Sequence, residues 1–208
     1  MQAMSHPKVI LIGGPPSSGK STLARAIAAR RGYGCISTDD IGVSARAMTT
    51  VESHPNLHSM DAGNHRSYFV YNSAEWLVED RMRGDSDLWP AIEAIVWAHT
   101  VGYSGDPVII EGMALWPERV AALEYPGVVS FWLGMSAEAL ETQTWERVEF
   151  DYEPAEAREV TAKFIARNVM WNGLMLDACE RLGMKVVDTS STRSPDDLAQ
   201  ACIERFDL

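Results

Sequence analysis

Short apolar runs alternate with longer segments of helical periodicity along most of the chain. Five runs have the length of buried strands, and they lie at residues 9–12, 35–38, 108–112, 127–133 and 185–187. Helical spacing predicts helices over residues 23–30, 41–50, 73–83, 116–123, 136–149, 155–182 and 196–206. Pro90 predicts the start of a further helix, because proline suits a first turn. Strands that alternate with helices are typical of an α/β protein with a parallel sheet covered on both faces.

The loop after the first strand carries the clearest chemical signal. Gly14-Pro-Pro-Ser-Ser-Gly-Lys-Ser21 fits the pattern G-x-x-x-x-G-K-[ST], and it stands between a predicted strand and a predicted helix, as a phosphate-binding loop (P-loop) requires. A helix N-terminus offers phosphates unpaired N–H groups and a partial positive charge. The residues expected to bind the nucleotide are Gly14, Pro15, Ser17, Ser18, Gly19, Lys20, Ser21 and Thr22. Lys20 is predicted to reach the β- and γ-phosphates, and the Ser21 hydroxyl to ligate Mg²⁺.

Acidic residues lie at the ends of the second and third predicted strands. Ligands of parallel sheets lie beyond the carboxyl ends of the strands, so Asp39, Asp40 and Glu111 are expected beside the P-loop. We predict that Asp39 accepts or orients the proton of a substrate hydroxyl, with Asp40 as the weaker candidate. Asp39 and Glu111 are also predicted near the magnesium ion, and Glu111 either holds a metal-bound water or contacts the acceptor. The alternative for Asp39 and Asp40 is that they only cap the following helix, and we expect one of the two to be the cap. The alternative for Glu111 is a solvated side chain at the end of a strand.

Three arginines flank the interruption Asp151-Tyr-Glu-Pro154 between two predicted helices. Arg147 and Arg167 are predicted to act in catalysis and Arg158 to bind the nucleotide, from a helical lid over residues 147–167 that excludes water. At least one of the three is expected to reach the phosphates. For each arginine alone, the alternative is a solvated helix face.

Residues 51–72 have neither helical nor strand periodicity. A stretch this long inside a compact domain is usually functional or disordered, and its aromatic residues favour the ordered alternative. We expect residues 51–105 to form an acceptor-binding insertion within a single domain of residues 1–208. Arg46, His65 and Arg66 are the candidate acceptor contacts in and beside it. A second interpretation of the histidines is a metal site, made by His54, His58, His65 and Asp61.

Composition narrows the classes of partner. The net charge of −11 argues against broad nucleic-acid binding and against docking on anionic membranes. Cys35, Cys179 and Cys202 are far apart, which favours reduced thiols over a disulfide framework. No apolar run approaches 18 residues. We therefore expect a cytoplasmic protein, either a monomer or a homodimer.

Three segments together resemble the small P-loop kinases: residues 13–22, Ile36-Ser-Thr-Asp-Asp-Ile41 and Ile109-Ile-Glu-Gly112. Within that group the chain looks most like the 2-phosphoglycerate-kinase-like and the zeta-toxin and polynucleotide-kinase-like members. The resemblance implies the three-layer P-loop NTPase fold, with a five-stranded parallel sheet in the order 2-3-1-4-5. It also implies ATP with Mg²⁺ and phosphorylation of a hydroxyl, and it places residues 188–192 near the adenine.

The same resemblance maps the base of the family onto Asp39. Members often carry an arginine three residues after that base, where it grips an anionic acceptor, but Gly42 occupies the position here. The resemblance then implies a phosphorylated acceptor only if Arg46 or Arg66 takes over that contact.

Two other classes of function compete with a kinase. Asp39-Asp-Ile-Gly42 matches the D-x-x-G pattern of regulatory GTPases, yet the chain has no N-K-x-D motif for guanine. An ATPase or nucleotide-dependent interaction protein without a small acceptor is the second alternative, which the long 51–105 segment disfavours. The sequence therefore predicts an ATP- and Mg²⁺-dependent kinase that acts on a hydroxyl of a small molecule.

Overall fold

Five parallel strands form the central sheet of the computed structural model, which describes residues 6–60, 65–191 and 194–208. The strands are β1 (Val9–Gly13), β2 (Gly34–Ser37), β3 (Val108–Glu111), β4 (Val128–Gly134) and β5 (Val186–Asp188). Their order across the sheet is β2-β3-β1-β4-β5, which confirms the predicted topology. Val9 pairs with Val108 of β3 on one side and with Val128 of β4 on the other, so β1 is the central strand.

Eight helices follow in the described part of the chain. They are α1 (Lys20–Arg31), α2 (Thr38–Met48), α3 (His65–Val70), α4 (Ala74–Thr100), α5 (Pro117–Ala121), α6 (Ala137–Arg147), α7 (Pro154–Leu182) and α8 (Pro195–Phe206).

The alternation of side chains along β1 decides which helices cover which face of the sheet. Val9 and Leu11 point to one face, where they join a buried cluster with residues of α4 and α7. Ile10 and Ile12 point to the other face and pack with residues of α1 and α8. Both faces of the sheet are therefore buried at β1, as its continuous run of apolar residues predicts.

Helix α4 is one continuous helix of 27 residues with Pro90 in its interior. The prediction that a new helix begins near Pro90 is therefore wrong. An interior proline costs about 3 kcal/mol because it removes a backbone hydrogen bond and crowds the preceding turn. Leu88, Ile92 and Val96 lie in the main core cluster at helical spacing on both sides of Pro90, and the burial of this apolar face stabilises a continuous helix.

A smaller cluster of buried residues lies beside the sheet. Phe69 of α3, Leu77 of α4 and Val160 of α7 form its centre, and Phe150 and Phe164 pack against them. This cluster fixes the first half of α7 against the segment that precedes α4. In the described ranges, no helix is both long and apolar enough to cross a membrane.

Candidate functional site

The P-loop connects the end of β1 to the start of α1. Gly14 has φ of 142° and Gly19 has φ of 88°, values that favour glycine, while Ser17 adopts φ of 64°. A Cβ atom on Gly14 would lie 2.6 Å from the backbone oxygen of Leu133, so the loop can follow this path only with glycine there. No side chain caps the N-terminus of α1. Its backbone N–H groups therefore stay available for an anion at the helix start.

Lys20 lies folded over this loop. Its Nζ donates a hydrogen bond of 2.7 Å to the backbone oxygen of Pro15. Burial lowers the pKa of Lys20 to about 8, although the carboxylates of Glu111 and Asp39 act in the opposite direction. The same ammonium therefore lies within electrostatic range of Asp39, at the start of α2, and of Glu111, the last residue of β3.

Ser21 and Glu111 form a direct contact across the sheet edge. The Ser21 Oγ atom donates a hydrogen bond of 2.9 Å to Oε1 of Glu111, and Glu111 is only 4% exposed. A hydroxyl and a carboxylate are the hard oxygen ligands that Mg²⁺ prefers. Together with the phosphate-binding loop, this pair fits a magnesium ion.

Asp39 and Asp40 occupy the first turn of α2, and the prediction that one of them caps the helix is wrong. The cap is Ser37, whose Oγ accepts a hydrogen bond of 3.2 Å from the backbone N–H of Asp39. The helix begins at Thr38, three residues earlier than its apolar periodicity predicts. Both carboxylates are exposed, and they are free of a capping role.

A first cavity of about 340 Å³ lies on one side of the P-loop. Ser18, Gly19 and Thr22 line it together with Asp188 and Thr189 after β5. Thr192, the last residue of the segment predicted near the adenine, lies outside the described residues. The location agrees with a nucleotide held by the loop and by the segment that follows β5.

Arg147 is the lid arginine that lies against the P-loop. It is at the end of α6, it lines the first cavity, and its Nη1 donates a hydrogen bond of 3.2 Å to the backbone oxygen of Ser17. Arg158 lies on the exposed side of α7. The catalytic and nucleotide-binding roles of these arginines stay predictions.

A second cavity, of about 280 Å³, contains Asp39 in its wall. Helices α2, α3, α4 and α7 and the turns at residues 51–60 all contribute to it. Six of its lining residues are charged: Asp39, Arg46, Asp80, Arg81, Asp85 and Arg167. The buried Thr38 hydroxyl also lines it and has no hydrogen-bond partner among the described residues.

Helix α4 brings a fixed ionic network to the second cavity. Nη2 of Arg81 lies 2.9 Å from Oδ1 of Asp85, and its Nε donates to Oδ2 at 3.1 Å. Asp80 accepts hydrogen bonds from Arg83 at 3.0 Å and from the Tyr68 hydroxyl at 2.8 Å. Burial raises the pKa of Asp85, and the Arg81 guanidinium opposes that shift.

The sequence interpretation missed this network. The available signal was the position of Asp80, Arg81 and Asp85 close to the apolar stripe of α4, between Leu77 and Leu88, where helical spacing predicts buried side chains. Charged residues on a buried face are normally paired or functional.

Arg167, which the sequence groups with Arg147 and Arg158 in the lid, lines the second cavity and not the first. It is 6% exposed, and its guanidinium carbon lies 4.7 Å from the ring centre of Phe164 and 5.3 Å from that of Phe69. Its Nε and Nη2 both donate to Oδ1 of Asn168. Burial, and secondly the charge of Arg81, lower the pKa of Arg167 to about 10.

The predicted acceptor residues are only partly brought together. Arg46 lines the second cavity, whereas Asp40, His65 and Arg66 line neither of the two cavities. Arg66 pairs with Glu159 at 2.8 Å and Glu156 at 3.4 Å, which joins α3 to α7. His65 Nδ1 lies 2.9 Å from the Tyr152 hydroxyl.

The histidines of residues 51–72 make separate local contacts. His54 bonds to Ser53 and His58 to Thr49, and the described ranges contain no group of three potential metal ligands. Asp61, which the metal hypothesis also requires, lies outside the described residues. In the structure, these histidines are therefore polar contacts rather than a cluster.

Comparison with known proteins relates the chain to kinases. No family model matches it. It is 29% identical over 163 residues to a protein from Pyrococcus horikoshii named 2-phosphoglycerate kinase, a match that covers 74% of this chain and 50% of the relative. The chain thus spans about half the length of the curated relative that it matches.

Solved structures share the fold over nearly the whole chain. A sugar kinase from Janibacter sp. HTCC2649 is 20% identical with a TM-score of 0.59, and the match covers 97% of this chain and 95% of that one. A gluconokinase from Sinorhizobium meliloti 1021 is 19% identical with a TM-score of 0.55, covering 96% and 93% of the two chains. The chain has the α/β fold of these small kinases, as predicted.

Proposed function

We propose that the protein is an ATP- and Mg²⁺-dependent kinase that transfers the γ-phosphoryl group to a hydroxyl of a small molecule. The observation that carries this proposal is the position of the P-loop relative to the two cavities. P-loop residues line the first cavity, Asp39 lines the second, and the charge of Asp39 acts on the Lys20 ammonium. A protein that only binds or hydrolyses a nucleotide has no need for the second cavity.

On the nucleotide side, the loop N–H groups and the N-terminus of α1 hold the phosphates, and Lys20 neutralises the charge that develops on them. Arg147 lies close enough to Ser17 to contribute a second positive charge at the same phosphates. Ser21 and Glu111 would hold Mg²⁺, Glu111 either directly or through a water. The bound metal would screen the negative charge of the β- and γ-phosphates.

On the acceptor side, Asp39 would receive the proton of the attacking hydroxyl. In the transfer, the hydroxyl oxygen forms a bond to the γ-phosphorus, the bond from that phosphorus to the bridging oxygen of ADP breaks, and the proton passes to the Asp39 carboxylate. Because no capping bond occupies the Asp39 side chain, both of its oxygens are available for that proton.

The names of the relatives support the same class of reaction. The curated relative is named a 2-phosphoglycerate kinase, and the two solved structures are described as a sugar kinase and a gluconokinase. We extend only their common property, a small hydroxyl-bearing acceptor, to this chain.

The proposal includes the predicted subdivision of the chain. The turns at residues 51–60 and helix α4 supply walls of the second cavity, which supports an acceptor-binding role for residues 51–105. Residues 147–167 would act as the lid from which Arg147 reaches the loop. A cytoplasmic location, the lack of nucleic-acid and membrane partners, and a monomeric or homodimeric state stay predictions.

Neutralising Asp39 separates the kinase from a simple nucleotide-binding protein. We expect Asp39→Asn to bind an ATP analogue within about 3-fold of the wild type and to lose about 10²–10⁴-fold in acceptor-stimulated ADP release, because proton transfer from the acceptor is lost. The measurement is ADP release over a panel of small hydroxyl compounds, beside calorimetric binding of the analogue.

Asp40→Asn is the matched comparison, since it removes a charge from the same helical turn outside both cavities. Its loss should be less than about 10-fold. Full activity in Asp39→Asn, or equal losses in the two variants, would contradict the assignment of the base.

A further inference from the structure

Arg167 is a buried cation without a counter-ion in the part of the chain that the structure describes. Its only hydrogen bonds there go from Nε and Nη2 to the neutral amide oxygen of Asn168, at 3.0 and 2.8 Å. Its third nitrogen, Nη1, makes no hydrogen bond to a described residue. An arginine that is 6% exposed normally has a carboxylate or phosphate partner, because a buried unpaired charge is costly.

Three of the other charged lining residues of the second cavity already have ionic partners. Arg81 is paired with Asp85, and Asp80 is paired with Arg83. Arg46 lies in the wall of the cavity as well. Asp39 is the proposed base and has to face the acceptor. Among the described residues, no carboxylate contacts the guanidinium of Arg167, which lies on α7, whereas Asp39 lies on α2.

The surroundings of Arg167 hold its guanidinium in place. Phe164 and Phe69 lie within 4.7 and 5.3 Å of it, and Asn168 takes two of its donors. A planar guanidinium fixed in this way matches a planar carboxylate, with which it can form two parallel hydrogen bonds. The buried Thr38 hydroxyl, which has no hydrogen-bond partner among the described residues, adds a further polar group to the same cavity.

We propose that Arg167 binds a carboxylate of the acceptor, so that the substrate is a small hydroxy acid with its hydroxyl at Asp39 and its acid group at α7. The proposal rests on the proposed kinase function for the identity of the ligand as acceptor. It assigns to Arg167 a specificity role, distinct from the contact with the ATP phosphates that falls to Arg147.

The charge balance favours a carboxylate over a phosphate ester. The charged lining residues are three aspartates and three arginines, so a carboxylate adds one negative charge to a balanced cavity, whereas a phosphate dianion adds two. The volume, about 280 Å³, is at the lower end of ligand pockets and suits a compact acid.

The test uses matched compounds that differ only in the acidic group. Binding is measured by calorimetry on the full chain saturated with Mg²⁺ and a non-hydrolysable ATP analogue. D-Glycerate is compared with glycerol and glycerol 3-phosphate, and D-gluconate with D-glucitol and D-glucitol 1-phosphate. Each compound is offered at up to about 10 mM, above the usual range of KM values.

We expect a hydroxy acid to bind at least 10-fold more tightly than its neutral and phosphorylated counterparts. Arg167→Met should weaken that binding by about 30-fold or more and leave the affinity for the ATP analogue unchanged, because a buried charge partner is lost. Arg167→Lys keeps the positive charge and should recover part of the affinity for the acid. This recovery would show that the loss in Arg167→Met is not caused by misfolding. Arg181→Met removes an exposed arginine from the far end of α7 and should bind like the wild type.

Preference for a neutral polyol, preference for a phosphate ester, or no binding of either acid would overturn the proposal. Equal binding by the wild type and Arg167→Met would also overturn it. ADP release with the same compounds separates the two levels of inference. Binding of the acid through Arg167 without phosphoryl transfer would contradict the kinase function alone, whereas transfer to a neutral polyol would contradict the role of Arg167 alone.

Discussion

Lys20 carries its positive charge where only 8% of the residue is exposed. Burial disfavours the protonated form and lowers the pKa of Lys20 from 10.5 to about 8, so the ammonium is charged at neutral pH by a narrow margin. On raising the pH, Lys20 loses its proton at a lower pH in the folded protein than in the unfolded chain. Lys20 therefore reduces stability near pH 7, and that cost fades as the pH rises from about 8 towards 10.5.

The lowered pKa predicts a pH dependence of nucleotide affinity. Below pH 8 the charged Lys20 attracts the phosphates, whereas above pH 8 the amine is mostly neutral and does not. The Kd of an ATP analogue should therefore rise by about 10-fold or more between pH 7 and pH 9.5. Calorimetry across this range with a fixed excess of Mg²⁺ measures it.

Lys20→Met is the control for that titration. Its affinity should be weak and should change little over the same pH range. A wild-type Kd that stays constant to pH 9.5 would contradict this prediction. It would mean either that Lys20 keeps its proton or that phosphate binding does not depend on the charge of Lys20.

Gly42 shows what residue-level reasoning can and cannot supply. The sequence correctly indicates that no arginine stands at this position to grip an acceptor. It cannot indicate that Arg81 and Arg167, which lie far from Asp39 in the chain, enter the same cavity. That proximity depends on how α4 and α7 pack around α2.

At the scale of elements, the cap of α2 links helix stability to catalysis. Ser37 Oγ accepts from the N–H of Asp39, so the residue that starts the helix also fixes the backbone of the proposed base. Ser37→Ala should lower the free energy of unfolding by about 1 kcal/mol and also reduce transfer, because Asp39 loses its fixed orientation.

Ser73→Ala is the matched control, since Ser73 caps α4 through the N–H of Trp76 in the same way. We expect a similar loss of stability, measured by urea unfolding, and near wild-type transfer. Equal effects of the two variants on transfer would mean that Ser37 acts only through overall stability.

Helix α4 explains why the boundaries of elements were harder to predict than their order. Local rules correctly identify the strands, because each is a short apolar run, but they divide α4 at Pro90. The burial of Leu88, Ile92 and Val96 against the sheet outweighs the local penalty of the proline. Contacts with distant residues decide such cases, and they cannot be derived from a window of sequence.

For the whole molecule, the sheet is the part that sequence predicts best. The strand order is confirmed, and parallel strands bring their carboxyl ends, with the P-loop, Asp39 and Glu111, to one edge of the sheet. Which residues line the second cavity could not be predicted, since they come from five separate segments of the chain.

The central claim, phosphoryl transfer to a small hydroxyl acceptor, is tested most directly by ³¹P NMR. The wild-type protein is incubated with ATP, Mg²⁺ and each hydroxy acid in turn. We expect the γ-phosphate signal to be replaced by that of a phosphate monoester, and Lys20→Met to form this product at least about 10²-fold more slowly. Release of inorganic phosphate alone, at a rate that none of the acids changes, would contradict the account.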